Sequence, residues 1–282
     1  MTPGNHLLLD VGGTFIKCSD GRSVPVPSDG SREEIAAALH EAVGPGRPEA
    51  VAVAIPGPFD YHEGVFRMRH KFAAVYGERF RDLAGLPEDI PMHFIHDVNC
   101  LLLGAIHSGA TGQARRVALV TLGTGLGFAL SFDGEILSTP AGAPAQSIWN
   151  APYRGGIAED FVSKRGIMRL WSDAVGRPWP EGRTVKDLAL AASGKVPCPG
   201  FPQEQAQSAF DEAGRCLAEI LTEPLRENEV DCLLVGGQIA KSFSLLERNL
   251  RSGLSVCPAL NHIGALPDID GACFTGLRAL DL

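Results

Sequence analysis

Three short glycine turns recur along the chain: Asp10-Val-Gly-Gly-Thr14, Gly123-Thr-Gly-Leu-Gly127 and Val235-Gly-Gly-Gln238. Glycine has no Cβ, so it reaches positive φ without strain and lets a ligand approach the backbone closely. Successive backbone N–H groups can then point into one concavity and bind an anion. Each turn follows an apolar run, two bring a Thr hydroxyl as a further donor, and one opens with Asp. One such turn alone reads as an ordinary hairpin. Three in order point to a phosphate-bearing ligand, cradled by Gly12, Gly13 and Thr14, by Gly123, Thr124 and Gly125, and by Gly236 and Gly237. No Gly-x4-Gly-Lys-Ser/Thr loop occurs, and the first turn runs back into a strand and not into a helix, so neither a P-loop nor a dinucleotide fingerprint is present.

The elements that must position these turns are legible in outline. Leu7-Leu-Leu-Asp10 and Phe15-Ile-Lys-Cys18 read as two strands around the first turn, with Ser23-Val-Pro-Val-Pro27 as a weaker third, placed at an edge or a strand end by its prolines. Ser31 and Glu34 form a capping box before a helical stripe of Ile35, Ala38, Leu39 and Ala42. Ala50-Val-Ala-Val-Ala-Ile55 is a strand buried on both faces, and it stops at Pro56-Gly-Pro58. Met92-His-Phe-Ile95 is a further strand, followed by Asp97 and a helix to about His107. The pattern restarts with a strand at 116–122, the second turn, a strand at 128–132 and an Asp133-Gly134 hairpin. Helices are expected near 157–171, 184–192 and 203–227, then a strand from Asp231 to Val235, a helix from about Ala240 and a last one near 271–281. The boundary between the two similarly built halves falls at 108–115.

These motifs, in this order, resemble a known family. Asp10-Val-Gly-Gly-Thr-Phe-Ile-Lys17 is similar to the first phosphate motif of the actin/hexokinase-like ATPases, in the form D-x-G-G-T-x-x-K used by the ROK family of bacterial sugar kinases and repressors. Ala54-Ile-Pro-Gly-Pro58, His96-Asp-Val-Asn99, Leu122-Gly-Thr-Gly-Leu-Gly127 and Leu234-Val-Gly-Gly-Gln-Ile-Ala240 resemble the motifs that follow in that family. The resemblance implies an α/β fold of two RNase H-like, actin-like ATPase domains with ATP in a central cleft. The first domain would be residues 1–108, rejoined by the last helix at about 269–282, and the second 109–268.

It also implies the chemistry. Moving a γ-phosphoryl group to a sugar hydroxyl requires a base beside that hydroxyl. Asp97, between a strand and a helix, occupies the position of the family's catalytic Asp; the plainer reading is a helix N-cap. Asp10 would lie near Mg²⁺ and the phosphates, through water. Lys17 reads either as a phosphate contact or as a solvated strand lysine. His70 falls about where the family has a sugar-binding Asn, and equally reads as a surface His among basic neighbours.

The resemblance breaks at the acceptor side. Most relatives hold a structural zinc with three Cys and a His. Here the matching Cys positions are Asn150, Pro152 and Ile157, and no His occurs between His107 and His262, so a zinc-less member is expected. Glu159 survives at a position that contacts sugar in the family, with an early-turn helix Glu as the plainer reading, while the Asn before the catalytic Asp is His96. The leading function is therefore ATP-dependent phosphorylation of a hexose or related sugar. The alternative is a non-catalytic sugar- or nucleotide-sensing regulator lacking a DNA-binding domain; an actin-like assembly protein fits less well.

Composition bounds the remaining possibilities. The 282 residues carry 25 basic and 33 acidic side chains, a net charge of −8, which disfavours nucleic acid as the main partner. No apolar run approaches the roughly 20 residues of a membrane span. The first residues lack a signal-peptide pattern, and the seven scattered cysteines fit reduced thiols, so a cytoplasmic location is expected. A homodimer is left open.

Overall fold

The run Ala50-Val-Ala-Val-Ala-Ile55 has no polar side chain and forms a strand, β4 (Ala50–Ile55), buried at every residue. The computed structural model describes residues 5–196, 198–269 and 271–280. Before β4 come β1 (His6–Val11), β2 (Phe15–Cys18), β3 (Ser23–Pro25) and α1 (Arg32–Val43); after it come β5 (Phe59–Asp60), β6 (Val65–Phe66), α2 (Phe80–Ala84), β7 (Met92–His96) and α3 (Asp97–His107). The second half contains β8 (Arg116–Leu122), β9 (Leu126–Phe132), β10 (Glu135–Ile136), β11 (Pro152–Tyr153), β12 (Gly156–Ile157), α4 (Glu159–Val162), α5 (Lys164–Val175), α6 (Val185–Ala192), α7 (Gln203–Glu227), β13 (Cys232–Gly236), α8 (Phe243–Leu254) and β14 (His262–Ala265), and α9 (Ala272–Arg278) closes the chain. Among the described residues no helix is long and apolar enough to cross a membrane.

The chain divides into two compact units. The first takes Met1–Ala110, Ile136–Ala145 and Asp270–Leu282; the second takes Thr111–Glu135 and Gln146–Ile269. Residues 136–145, assigned to the second half from sequence, group with the first unit because their partners are there. Asn99 Nδ2 donates to Ser138 Oγ at 3.1 Å, and the His62 ring lies 2.7 Å from Pro140 O.

The first unit is built on a sheet of order β3-β2-β1-β4-β7. β1 pairs antiparallel with β2 and parallel with β4, which pairs parallel with β7. β3, with its proline, is the edge strand as expected. Alternation along the strands supplies two faces. Leu9, Val11, Ile16, Val51, Val53 and Ile55 pack with Ile35 and Leu39 of α1 and with the Phe59, Phe66, Phe72 and Phe80 group. Leu8, Ala52 and Ala54 pack instead with Cys100 of α3 and with Cys273 and Leu277 of α9. α3 and α9 touch backbone to backbone. A Cβ on Gly104 would stand 1.9 Å from Ala272 O, and one on Gly276 would stand 2.0 Å from Cys100 O. All seven cysteines are free, Cys100 and Cys273 with sulfurs 3.8 Å apart.

The second unit repeats the plan with the order β10-β9-β8-β13-β14, an antiparallel hairpin beside parallel strands. Its hairpin turns through Asp133 (φ 52°) and Gly134 (φ 88°), the twist that a tight hairpin prefers. The expected helix at 157–171 is two helices, because Ser163 stops α4 and caps α5 by accepting from the Gly166 N–H. The helix expected from Ala240 begins as a 3₁₀ turn, Gln238–Ser242, and becomes α8 at Phe243. β5, β6, β11 and β12 are each two residues long, too short to show a period, and β14 owes its strand form to parallel pairing with β13.

Candidate active site

In the first unit, strand register brings the chemistry to one edge. Asp10 pairs with Ala54 across β1 and β4, and Ile55 pairs with His96 across β4 and β7. The carboxyl ends of three parallel strands therefore present Asp10, the Pro56-Gly57-Pro58 turn and His96-Asp97 side by side, the edge at which α/β sheets bind ligands.

Asp10 lies opposite Lys17 in the β1–β2 pairing, with Nζ 3.9 Å from Oδ2. Burial pushes the Asp10 carboxyl up, Lys17 counteracts it, and the Asp97 charge adds to the rise. The turn after it is closed by Gly12 N–H donating to Phe15 O at 2.9 Å. Thr14 is exposed beyond it.

His96 is the N-cap of α3 and Asp97 is the first residue inside the helix, so Asp97 is not the cap. Val98 N–H reaches Asp97 Oδ1 at 2.7 Å and His96 Nδ1 only at 3.3 Å, while Nδ1 and Asp97 Oδ1 are 2.8 Å apart. The shorter contacts assign the proton: His96 Nδ1–H and Val98 N–H both donate to Oδ1. Among the described residues no hydrogen bond reaches Oδ2, and the side chain is 43% exposed, so a hydroxyl can approach it. Desolvation pushes the Asp97 carboxyl up, but His96, the Val98 N–H and the Lys71 charge outweigh it and hold the group below the ordinary carboxylate range. The His96 ring sits beside Gly57 and Tyr61, whose hydroxyl donates to Ile55 O at 3.1 Å and whose pKa is raised by burial and by Asp97.

That geometry makes a pH prediction. The groups acting on Asp97 and its neighbours are the His96 imidazole, Lys71 and Asp10, with the Tyr61 hydroxyl uncharged. A base acts while ionised, so a lowered pKa keeps activity flat further into acid, and loss of the imidazole raises that pKa. His96→Ala should therefore move the acid limb of kcat/KM to higher pH. An unmoved limb in the variant would remove His96 from the role.

His70 is exposed. Its neighbour Lys71 is the residue turned to the first glycine turn: a Cβ on Gly13 would stand 3.2 Å from Lys71 Nζ. Sequence reasoning singled out His70 and not its neighbour, and nothing in the spacing separates them.

In the second unit the turn after β8 is held by Gly123 N–H donating to Gly125 O at 3.0 Å and by Lys164 N–H donating to Gly123 O at 2.7 Å. Glu159, the expected sugar contact, is at this turn. Its Oε2 accepts from Leu126 N–H at 3.0 Å, and its Oε1 pairs with Arg165 at 3.0 Å, a partner that sequence reasoning missed. The third turn adjoins the second, since a Cβ on Gly237 (φ 83°) would stand 2.4 Å from Leu122 O. Gly236 ends β13 and faces Leu119, Leu266 and Thr121 at ordinary contact distance. Thr124 is exposed, and a Cβ on Gly123 would meet nothing within 4 Å. Gly123→Val is thus a test of the cradle that spares the core. If the turn cradles phosphate, ATP affinity by calorimetry should fall at least about tenfold in a folded variant, because a β-branched side chain then stands where the phosphate must approach. Unchanged affinity would refute a phosphate role for this turn.

The segment with Asn150, Pro152 and Ile157 is pinned without metal ligands. Between β11 and β12, Arg154 reaches Glu212 at 2.7 Å and Glu219 at 2.8 Å on α7, and Tyr153 donates to Glu219 at 2.6 Å while its ring meets Phe161 edge-on at 4.8 Å. Among the described residues no group of three His, Cys, Asp or Glu is arranged to hold a metal ion. Metal analysis of purified, untagged protein should find no stoichiometric zinc, and a chelator should leave Tm unchanged. Stoichiometric zinc would overturn this.

Residues 6–257 match the family model described as the ROK family. The chain belongs to the ROK family. N-acetylmannosamine kinase of Salmonella paratyphi B is 23% identical over 281 residues, covering 91% of this chain and 90% of that protein. Among solved structures, a glucokinase from Parabacteroides distasonis is similar at TM-score 0.71 and 20% identity, covering 99% of this chain and 98% of that one. A ROK family glucokinase from Streptomyces griseus in complex with glucose and AMPPNP is similar at TM-score 0.71 and 19% identity, covering 96% and 97%. This ROK protein therefore has the two-domain, actin-like ATPase fold.

Proposed function

We propose that this chain transfers the γ-phosphoryl group of ATP to a hydroxyl of a hexose or hexose derivative. The observation that carries the proposal is the Asp97 carboxylate: one oxygen is held by His96 and Val98, the other is open, and the group stays ionised at neutral pH. The acceptor O–H donates to Oδ2 and its proton passes there. The freed oxygen bonds to the γ-phosphorus as the bond to the ADP oxygen breaks. In this reading the turns at Gly12–Thr14 and at Gly123–Gly125 would each offer backbone N–H groups to phosphate, and Gly236–Gly237 would leave room for the adenosine. Family membership and the kinases among the relatives support this reading.

Mg²⁺ fits the first unit. Asp10 is an oxygen donor, partly buried, whose charge is disfavoured by burial and by Asp97, so a hard cation nearby would stabilise it. Asp10 is the residue that would hold the ion, through water. When bound, the ion would supply charge neutralisation at the phosphate oxygens.

The test is a panel of hexoses and N-acetylhexosamines with ATP and Mg²⁺, coupled to ADP release. Turnover of a sugar at a rate above background hydrolysis is the expected result. Sugar or nucleotide binding without turnover would leave the regulatory alternative instead.

A further inference from the structure

Phe72 is a bulky residue in the left-handed region, φ 52° and ψ 27°. Such a conformation costs energy for any side chain with a Cβ, and it persists only where the surroundings over-determine it. They do so here. The Phe72 ring is fully buried, 5.4 Å from the Phe66 ring, and its N–H donates to Ser28 O at 2.6 Å.

The consequence falls on the preceding residue. Lys71 is directed over the first glycine turn, with Nζ 3.2 Å and Cδ and Cε 3.4 Å from the place where a Gly13 Cβ would stand. The missing Cβ makes room for the lysine as well as for a ligand. Nearby acids have other partners: Asp10 faces Lys17, and Asp97 is bonded to His96. Among the described residues Lys71 makes no ion pair, yet its charge acts on Asp97. A half-buried ammonium is thus aimed at a turn built to bind anions, beside the proposed base.

We propose that Lys71 binds a phosphoryl oxyanion at the first turn, an inference that rests on the phosphotransfer reading. The oxyanion has two possible sources, the γ-phosphoryl of the nucleotide or a phosphate already carried by the acceptor. In either case the positive charge offsets negative charge beside Asp97 as the new O–P bond forms, the role of a preorganised cation in phosphoryl transfer.

The test compares wild type with Lys71→Met and Lys71→Arg. Two quantities are read: turnover of neutral hexoses and of hexose 6-phosphates, and calorimetric affinity for Mg²⁺ complexes of ADP and of a non-hydrolysable ATP analogue. Lys71→Met should lower kcat/KM by about 10²-fold or more, with Lys71→Arg restoring much of it. If the nucleotide is the source, Lys71→Met should weaken the ATP analogue at least about tenfold and leave ADP unchanged. If the acceptor is the source, both nucleotide affinities should hold and the loss should be confined to phosphorylated sugars. A folded Lys71→Met protein with wild-type turnover and affinities overturns the proposal. If wild type turns over no acceptor, the phosphotransfer reading fails separately. Calorimetric affinities for the two nucleotides and for a hexose 6-phosphate then decide Lys71 alone, and equal values in wild type and Lys71→Met for all three overturn it.

Discussion

Asp97→Asn should lower kcat by at least about 10²-fold, since a positioned base is typically worth 10²–10⁴. The substitution is nearly isosteric. Asn Oδ1 can still accept from Val98 N–H and His96, which hold Oδ1 at 2.7 and 2.8 Å in the native protein, so α3 keeps its start. What changes is the open position: an amide NH₂ donates where Oδ2 accepts, and the hydroxyl proton has nowhere to go. In the proposed reading backbone groups hold the phosphates, so calorimetric ATP affinity should stay within a few-fold of wild type. Near-normal turnover by the variant would remove Asp97 from the role of base.

Gly276→Val should have a large effect on stability. Its Cβ would stand 2.0 Å from Cys100 O and 3.0 Å from Cys100 C and Sγ. Overpacking of side chains usually costs about 1–3 kcal/mol because rotamers can give way, but here a backbone carbonyl is in the way and a helix must move. A cost above about 3 kcal/mol is expected. Because the chain has two units, a single Tm is a poor measure. Hydrogen exchange should instead lose protection in β1, α3 and α9 while β8 and β13 keep theirs. Native protection throughout would mean that α9 does not pack on α3 as described.

The glycine turns were readable because each combines an apolar strand with residues that only a tight turn requires. The β4 run and the capping box of α1 were readable for the same reason, that local chemistry dictates local form. Asp97 was legible as a candidate, but not its relation to His96: whether it caps the helix or opens it depends on a one-residue boundary. Lys71 was not legible at all. It precedes Phe72, which adopts a conformation that bulky residues avoid and is held there by Phe66 and Ser28 from elsewhere in the chain. Likewise Glu159 meets Leu126 across 33 residues, and Ser138 meets Asn99 across 39. These are tertiary facts with no signature in spacing.

The packing of α9 on β1, β4 and α3 also sets an order of events during synthesis. Leu8, Ala52, Ala54 and Cys100 are all made before any residue of the second unit, yet the Cys273 and Leu277 side chains that complete their cluster come after it. At roughly 5–20 residues per second, α9 follows α3 from the ribosome by on the order of ten seconds. For that interval the nascent first unit has an uncovered apolar face, while the second unit has all of its strands and can close. The half of the protein that begins first is the half that finishes last, and the face awaiting α9 is where a chaperone would be expected to bind the growing chain.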